Sequence, residues 1–77
     1  MKINVRFKKH GRLLKDLNVG AYFYLGVSLY IKSKFNGIGS FTTFNLRTGE
    51  WEYVKEDELV TPVEIISIEA EEIEWEK

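Results

Sequence analysis

Apolar side chains recur at every second residue through most of this sequence, and no stretch carries enough helical spacing to compete. Residues 2 to 8, KINVRFK, set Ile3, Val5 and Phe7 on one face and Lys2, Asn4, Arg6 and Lys8 on the other. That is the alternation of a strand with one wet face. Leu13, Leu14 and Leu17 have helical spacing, but Gly11 and Gly20 bracket too few residues for a stable helix. Residues 9–20 therefore read as a long loop with one helical turn, its leucines tucked under the sheet.

Register decides what each hairpin presents, because a slip of one residue reverses every side chain. In VGAYFYLGVSLYIK (19–32), Gly26 divides two strands. A three-residue loop, Gly26-Val27-Ser28, gathers Phe23, Leu25, Leu29 and Ile31 on a core face and leaves Tyr22, Tyr24, Tyr30 and Lys32 opposite. A two-residue type II′ turn with Gly26 first is the competitor and mixes polar with apolar. In FTTFNLRTGEWEYV, a two-residue Thr48-Gly49 loop pairs Arg47 with Glu50, Leu46 with Trp51 and Phe44 with Tyr53. Pro62 has no N–H to donate and belongs at a strand start, edge or bulge. The adjacent Ile65-Ile66 interrupts the alternation and predicts a bulge.

The sum is five to six short strands with closely spaced turns, an all-β fold. The expected architecture is a small SH3-like barrel or roll over residues 1–70, with an OB-like barrel as the alternative. Residues 71–77 form an acidic tail or an extra edge strand. A chain of 77 residues buries little surface. It has no cysteine for a disulfide or cysteine-zinc site, so its aromatics, 14% of residues, must supply much of the packing. No signal-peptide core or bilayer-length apolar run is visible, and a cytoplasmic protein without membrane association is expected.

The net charge of −1 conceals a division. Residues 1–35 carry a net +7 and residues 36–77 a net −8. If the first and last strands are neighbours, Lys2, Arg6 and Lys8 face Glu64, Glu69 and Glu71, and the division is structural.

Catalytic chemistry finds little material. His10 is the only histidine, so multi-imidazole metal sites are excluded. No hydroxyl lies in a nucleophile motif. The lone Gly-x-Gly at 37–39 lacks the third glycine and the helix of a phosphate loop, and EDE at 56–58 lacks the spaced ligands of a calcium loop. No enzyme, cofactor or metal is expected. Binding candidates remain. Tyr22, Tyr24 and Tyr30 with Lys32 offer rigid amphipathic contact area, unless residues 9–20 cover them. Glu69, Glu71, Glu72, Glu74 and Trp75 make an acidic end able to meet a basic protein. Ile73 and Trp75 alternate within it, which makes a homodimer through the C-terminal segment plausible. Lys8, Lys9, Arg12 and Lys15 beside the tyrosines are the nucleic-acid alternative, with rings stacking on bases or a nucleotide, although a sequence pI near 5.8 argues against it.

DLNVGAYFYLGVSLYIK, FNLRTGE and ELVTPV together resemble a group of small bacteriophage and prophage accessory proteins. Their pattern is Leu-x-x-Gly-x-x-Phe, Leu-Tyr-x-Lys, Asn-Leu-x-Thr-Gly, Val-x-Pro-Val. It is matched by Leu17, Gly20, Phe23, Leu29, Tyr30, Lys32, Asn45, Leu46, Thr48, Gly49, Val60, Pro62 and Val63. Two positions depart from it: Ala21 stands where an acid is common and Phe44 where a small residue is. The resemblance implies a small accessory protein that binds or inhibits a host protein, a host defence component included. It assigns no residue a role.

Overall fold

A computed structural model describes residues 2–7 and 10–69 of the chain, with side chains of 3–7 and 10–66. Among them are seven strands: β1 (Lys2–Phe7), β2 (Arg12–Leu13), β3 (Tyr22–Leu25), β4 (Ser28–Phe35), β5 (Ser40–Asn45), β6 (Glu50–Lys55) and β7 (Leu59–Glu69). A single 3-10 turn, Leu14–Asp16, follows β2. The fold is all-β, as the alternation predicts. Every pairing is antiparallel, in the order β1-β7-β3-β4-β5-β6, with β2 alongside the start of β7. The sheet does not close: among the described strands β6 pairs with β5 alone, so the expected barrel or roll is an open, curled sheet.

The curl follows from chain length. Four strand spacings, about 19 Å if flat, separate β7 from β6. Residues 56–58 alone join them, a link that reaches at most about 15 Å. The sheet must bend, and its inner side becomes the core. Leu14, Phe23, Tyr30, Val54 and Val60 meet there, with Leu17, Leu25 and Phe41 packed around them. The amides of Leu14 and Lys15 donate to the Glu58 and Glu56 carbonyls, which pins the 3-10 turn across the bend. Residues 12–17 thus tuck leucines under the sheet, as their spacing predicts.

β7 accounts for both of its irregular residues. Among the described residues it pairs on one side with β2 through Val60 and with β1 from Val63 onward, leaving 61 and 62 between these partners. Pro62 sits in that gap, where no donor is missed. Farther on, the register against β1 jumps from Ser67 to Ile65 between Asn4 and Val5. Ile66 is the extra residue, the bulge predicted from Ile65-Ile66. Lys2 lies opposite Glu69 and Arg6 opposite Glu64, the structural form of the charge division. Lys8 and Glu71 lie outside the described residues.

Both hairpins differ from the expected registers. β3 and β4 are joined by the two-residue turn Gly26-Val27, with Leu25 opposite Ser28 and Phe23 opposite Tyr30. Gly26 has φ 63°, and no described non-glycine residue has positive φ, the pattern of a II′ turn whose twist suits a hairpin. Mixing polar with apolar residues on the inner face costs little because the polar ones find partners. The second hairpin has four loop residues, Leu46–Gly49, and pairs Asn45 with Glu50 and Phe44 with Trp51. Asn45 decides it. Its Oδ1 accepts from the amides of Arg47 and Thr48, and its carbonyl accepts from Gly49. This Asx turn outcompetes the tight Thr48-Gly49 turn, and Arg47 and Glu50 are not opposed.

Candidate interaction surface

The observed registers divide the four-residue tyrosine face. Opposed residues on antiparallel strands share a face, so Tyr30 and Lys32 join Phe23 inside, while Tyr22 and Tyr24 point out with Leu29 and Ile31.

Inside, Phe23 stacks on Tyr30 at 5.2 Å between ring centres. The Tyr30 hydroxyl donates to Glu52 Oε1 at 3.2 Å, and Asn45 Nδ2 donates to Oε2 at 2.8 Å. Burial pushes the Tyr30 pKa up, and the charge and hydrogen bond of Glu52 add to the rise. Lys32 is only 3% exposed. Its Nζ donates to the carbonyl of Leu14 at 2.9 Å and to that of Leu17, and lies 3.8 Å from the centre of the Phe41 ring. Burial pushes the Lys32 pKa down, with Asp16 pulling partly against it. The Lys32 bonds hold the 3-10 turn to the sheet, and the Tyr30 bond ties β4 to β6.

Outside, one register row crosses six strands: Phe7, Val63, Tyr22, Ile31, Phe44 and Trp51 are each opposite the next. Five strand spacings make the row about 24 Å long. Val5, Ile65, Tyr24, Leu29 and Tyr53, with Thr42 and Thr61, flank it on the same face; neither the row nor these neighbours carry a charge, and Lys55, at the end of β6, puts one at the margin of the face. Phe7 packs on Tyr24 at 5.2 Å, and Trp51 meets Phe44 edge-on at 5.0 Å. Phe7, Trp51 and Tyr53 remain 58%, 63% and 73% exposed. Among the described residues the 3-10 turn is the element laid over the sheet, and it lies on the inner side.

The other predicted site residues do not converge on this row. By register, Arg12 shares the inner face with Val60. It and Lys15 on the 3-10 turn are exposed, away from Tyr22 and Tyr24. Glu69 ends β7, and Lys8, Lys9, Glu71, Glu72, Glu74 and Trp75 lie outside the described residues, as does the proposed dimer segment. The row's other members, Phe7, Ile31, Phe44 and Trp51, escape sequence reading because they align only once both hairpin registers are right. Asn45 ahead of Thr48-Gly49 was the available signal for one of them.

No group of three metal-ligating side chains occurs among the described residues, and no described helix is long and apolar enough to cross a membrane. Compared with known proteins, the chain matches no family model, no curated protein and no solved structure.

Proposed function

We propose that this chain is a non-enzymatic protein-interaction module that docks a partner protein on the outer face of its sheet. The observation that carries the reading is the uncharged six-strand row from Phe7 to Trp51, with aromatic ends left exposed. Exposed contiguous apolar surface of this kind marks interaction sites, and aromatics dominate binding energy at such contacts. A nucleic-acid backbone would need cations beside the rings, and the described row has none. The phage and prophage resemblance supplies the setting: an accessory protein in the host cytoplasm whose partner is a host protein, a defence component being one fitting kind.

Affinity capture from bacterial host lysate, with nuclease and at two salt concentrations, tests this. A discrete protein should be retained by the wild type and lost with Phe7→Ser plus Trp51→Ser, a variant whose fold is checked by circular dichroism. Retention undiminished by that variant, or capture abolished by nuclease, would refute it.

A further inference from the structure

The sheet has two edges, and they are not equally protected. β1 carries the bulge at Asn4/Val5 and the exposed charge of Arg6. Bulges and edge charges are what keep a strand from recruiting another. β6 carries charges of its own, Glu50, Glu52 and Lys55, but no bulge or register shift over its six residues, and its far edge pairs with nothing among the described strands. Along this edge lies an open cleft of about 460 Å³, lined by Leu25, Tyr30, Glu52, Tyr53, Val54, Lys55 and Glu58. The cleft sits where the curl fails to close, between β6 and the tip of the β3–β4 hairpin.

The geometry points to β6 as a strand-addition site for an extended peptide segment whose residues alternate apolar and basic. A strand added to β6 shares its two faces. Its outer side chains continue the apolar row beside Trp51 and Tyr53. Its inner side chains come down beside Glu50 and Glu52 and over the cleft toward Glu58. Glu52 already accepts from Tyr30 and Asn45, but each carboxylate oxygen has a second lone pair for a cation. Glu50, Glu52 and Glu58 outnumber the one cation of the edge, Lys55, so apolar outside and basic inside is the complementary pattern, and an acidic alternation is repelled by the three carboxylates. This inference rests on the interaction-module reading and names the kind of segment the partner offers.

The test titrates the isotope-labelled full chain with acetyl-Val-Lys-Val-Lys-Val-Lys-Val-amide. The controls are the same peptide with glutamate for lysine and the lysine peptide N-methylated at alternate residues on either edge. The lysine peptide should bind and slow amide exchange across residues 50–55. Methylation of one edge should weaken it at least tenfold, because that edge's amides must pair with β6. Glu58→Gln, and separately Glu52→Gln, should weaken it several-fold, and the glutamate peptide should not bind. Equal binding of the methylated peptides, or shifts centred away from β6, would reduce the contact to non-specific charge attraction and overturn the inference. Absence of binding at millimolar peptide would overturn it too, while host-protein capture that still needs Trp51 would leave the interaction-module reading standing. The reverse result, peptide binding without capture, would remove the outer-face reading and keep the edge site.

Discussion

The two faces of this one sheet solve opposite problems with the same residue types. The inner face contains a lysine, a tyrosine, an asparagine and a threonine, all buried, yet it is the core. The outer face is apolar along its central row, with Thr42, Thr61 and Lys55 toward its margins, yet its end aromatics Phe7, Trp51 and Tyr53 stand in water. Polarity is a poor guide to which side of a small sheet is interior. The number of partners is a better one: no described buried side-chain polar atom lacks a hydrogen bond. A satisfied polar group inside is nearly neutral, whereas the exposed aromatic ends of the row add only their cross-strand contacts to the isolated fold.

The sharpest way to break this comparison is to truncate one aromatic on each face. Phe23 is fully buried against Tyr30, and Phe23→Ala should cost about 3–5 kcal/mol, a large part of a small domain's stability. Trp51→Ser loses an exposed ring and one edge-on contact with Phe44, and should cost about 1 kcal/mol. Urea unfolding of both variants compares them directly. Similar losses would mean that the outer face is also core and that something in the full chain covers it.

Much of the architecture was legible because alternation, breaks and compensating charges are local or nearly so. The β1–β7 neighbourhood followed from the expected SH3-like arrangement and accounts for the charge division, the bulge followed from Ile65-Ile66, and the strap from the leucines at 13, 14 and 17. The hairpin registers were not legible from segregation of apolar residues. That criterion assumes a lysine must face water, and Lys32 does not, because the carbonyls of Leu14 and Leu17 receive its protons. It also ranks a tight Thr-Gly turn above an Asx turn, and Asn45 reverses that ranking through two side-chain bonds. Two tyrosines of the outer face, Tyr22 and Tyr24, were found from sequence. The row they belong to was not, since it exists only as a product of five correct pairings.

Alkaline titration sharpens the inner half of the comparison. Lys32 has its folded pKa below the unfolded value of 10.5 because of burial. Between the two values the unfolded chain holds a proton that the folded protein has released, so this residue makes stability rise with pH. Tyr30 has its folded pKa above 10.0. From about pH 10 upward the folded protein keeps a proton the unfolded chain has lost, and stability falls. The two trends oppose each other near pH 10, so the variants separate them. Lys32→Met leaves two carbonyls without a donor and should cost about 1–3 kcal/mol at neutral pH. It should also remove the rising limb, while Tyr30→Phe should remove the falling one. Denaturation midpoints from pH 8 to 11 would show this. A Lys32→Met curve parallel to the wild type would mean that the ammonium reaches water in solution.

The smallest effect belongs to the pair that the charge division most obviously predicts. Arg6 and Glu64 are opposed across β1 and β7, but their closest atoms are 4.0 Å apart and their side chains are 70% and 56% exposed. An ion pair held this loosely in water gains little over its two solvated ends. Neutralising both, Arg6→Gln with Glu64→Gln, should change stability by less than about 0.5 kcal/mol, with the remainder fading in salt. A double-mutant cycle at low and high salt measures it. Their service to the fold is register: a slip of one residue would set Arg6 against Val63 or Ile65 and lose the opposition, which favours the right pairing only slightly. A coupling well above 1 kcal/mol that survives salt would contradict this and would place the two ends of the chain under a cover that the isolated sheet does not provide.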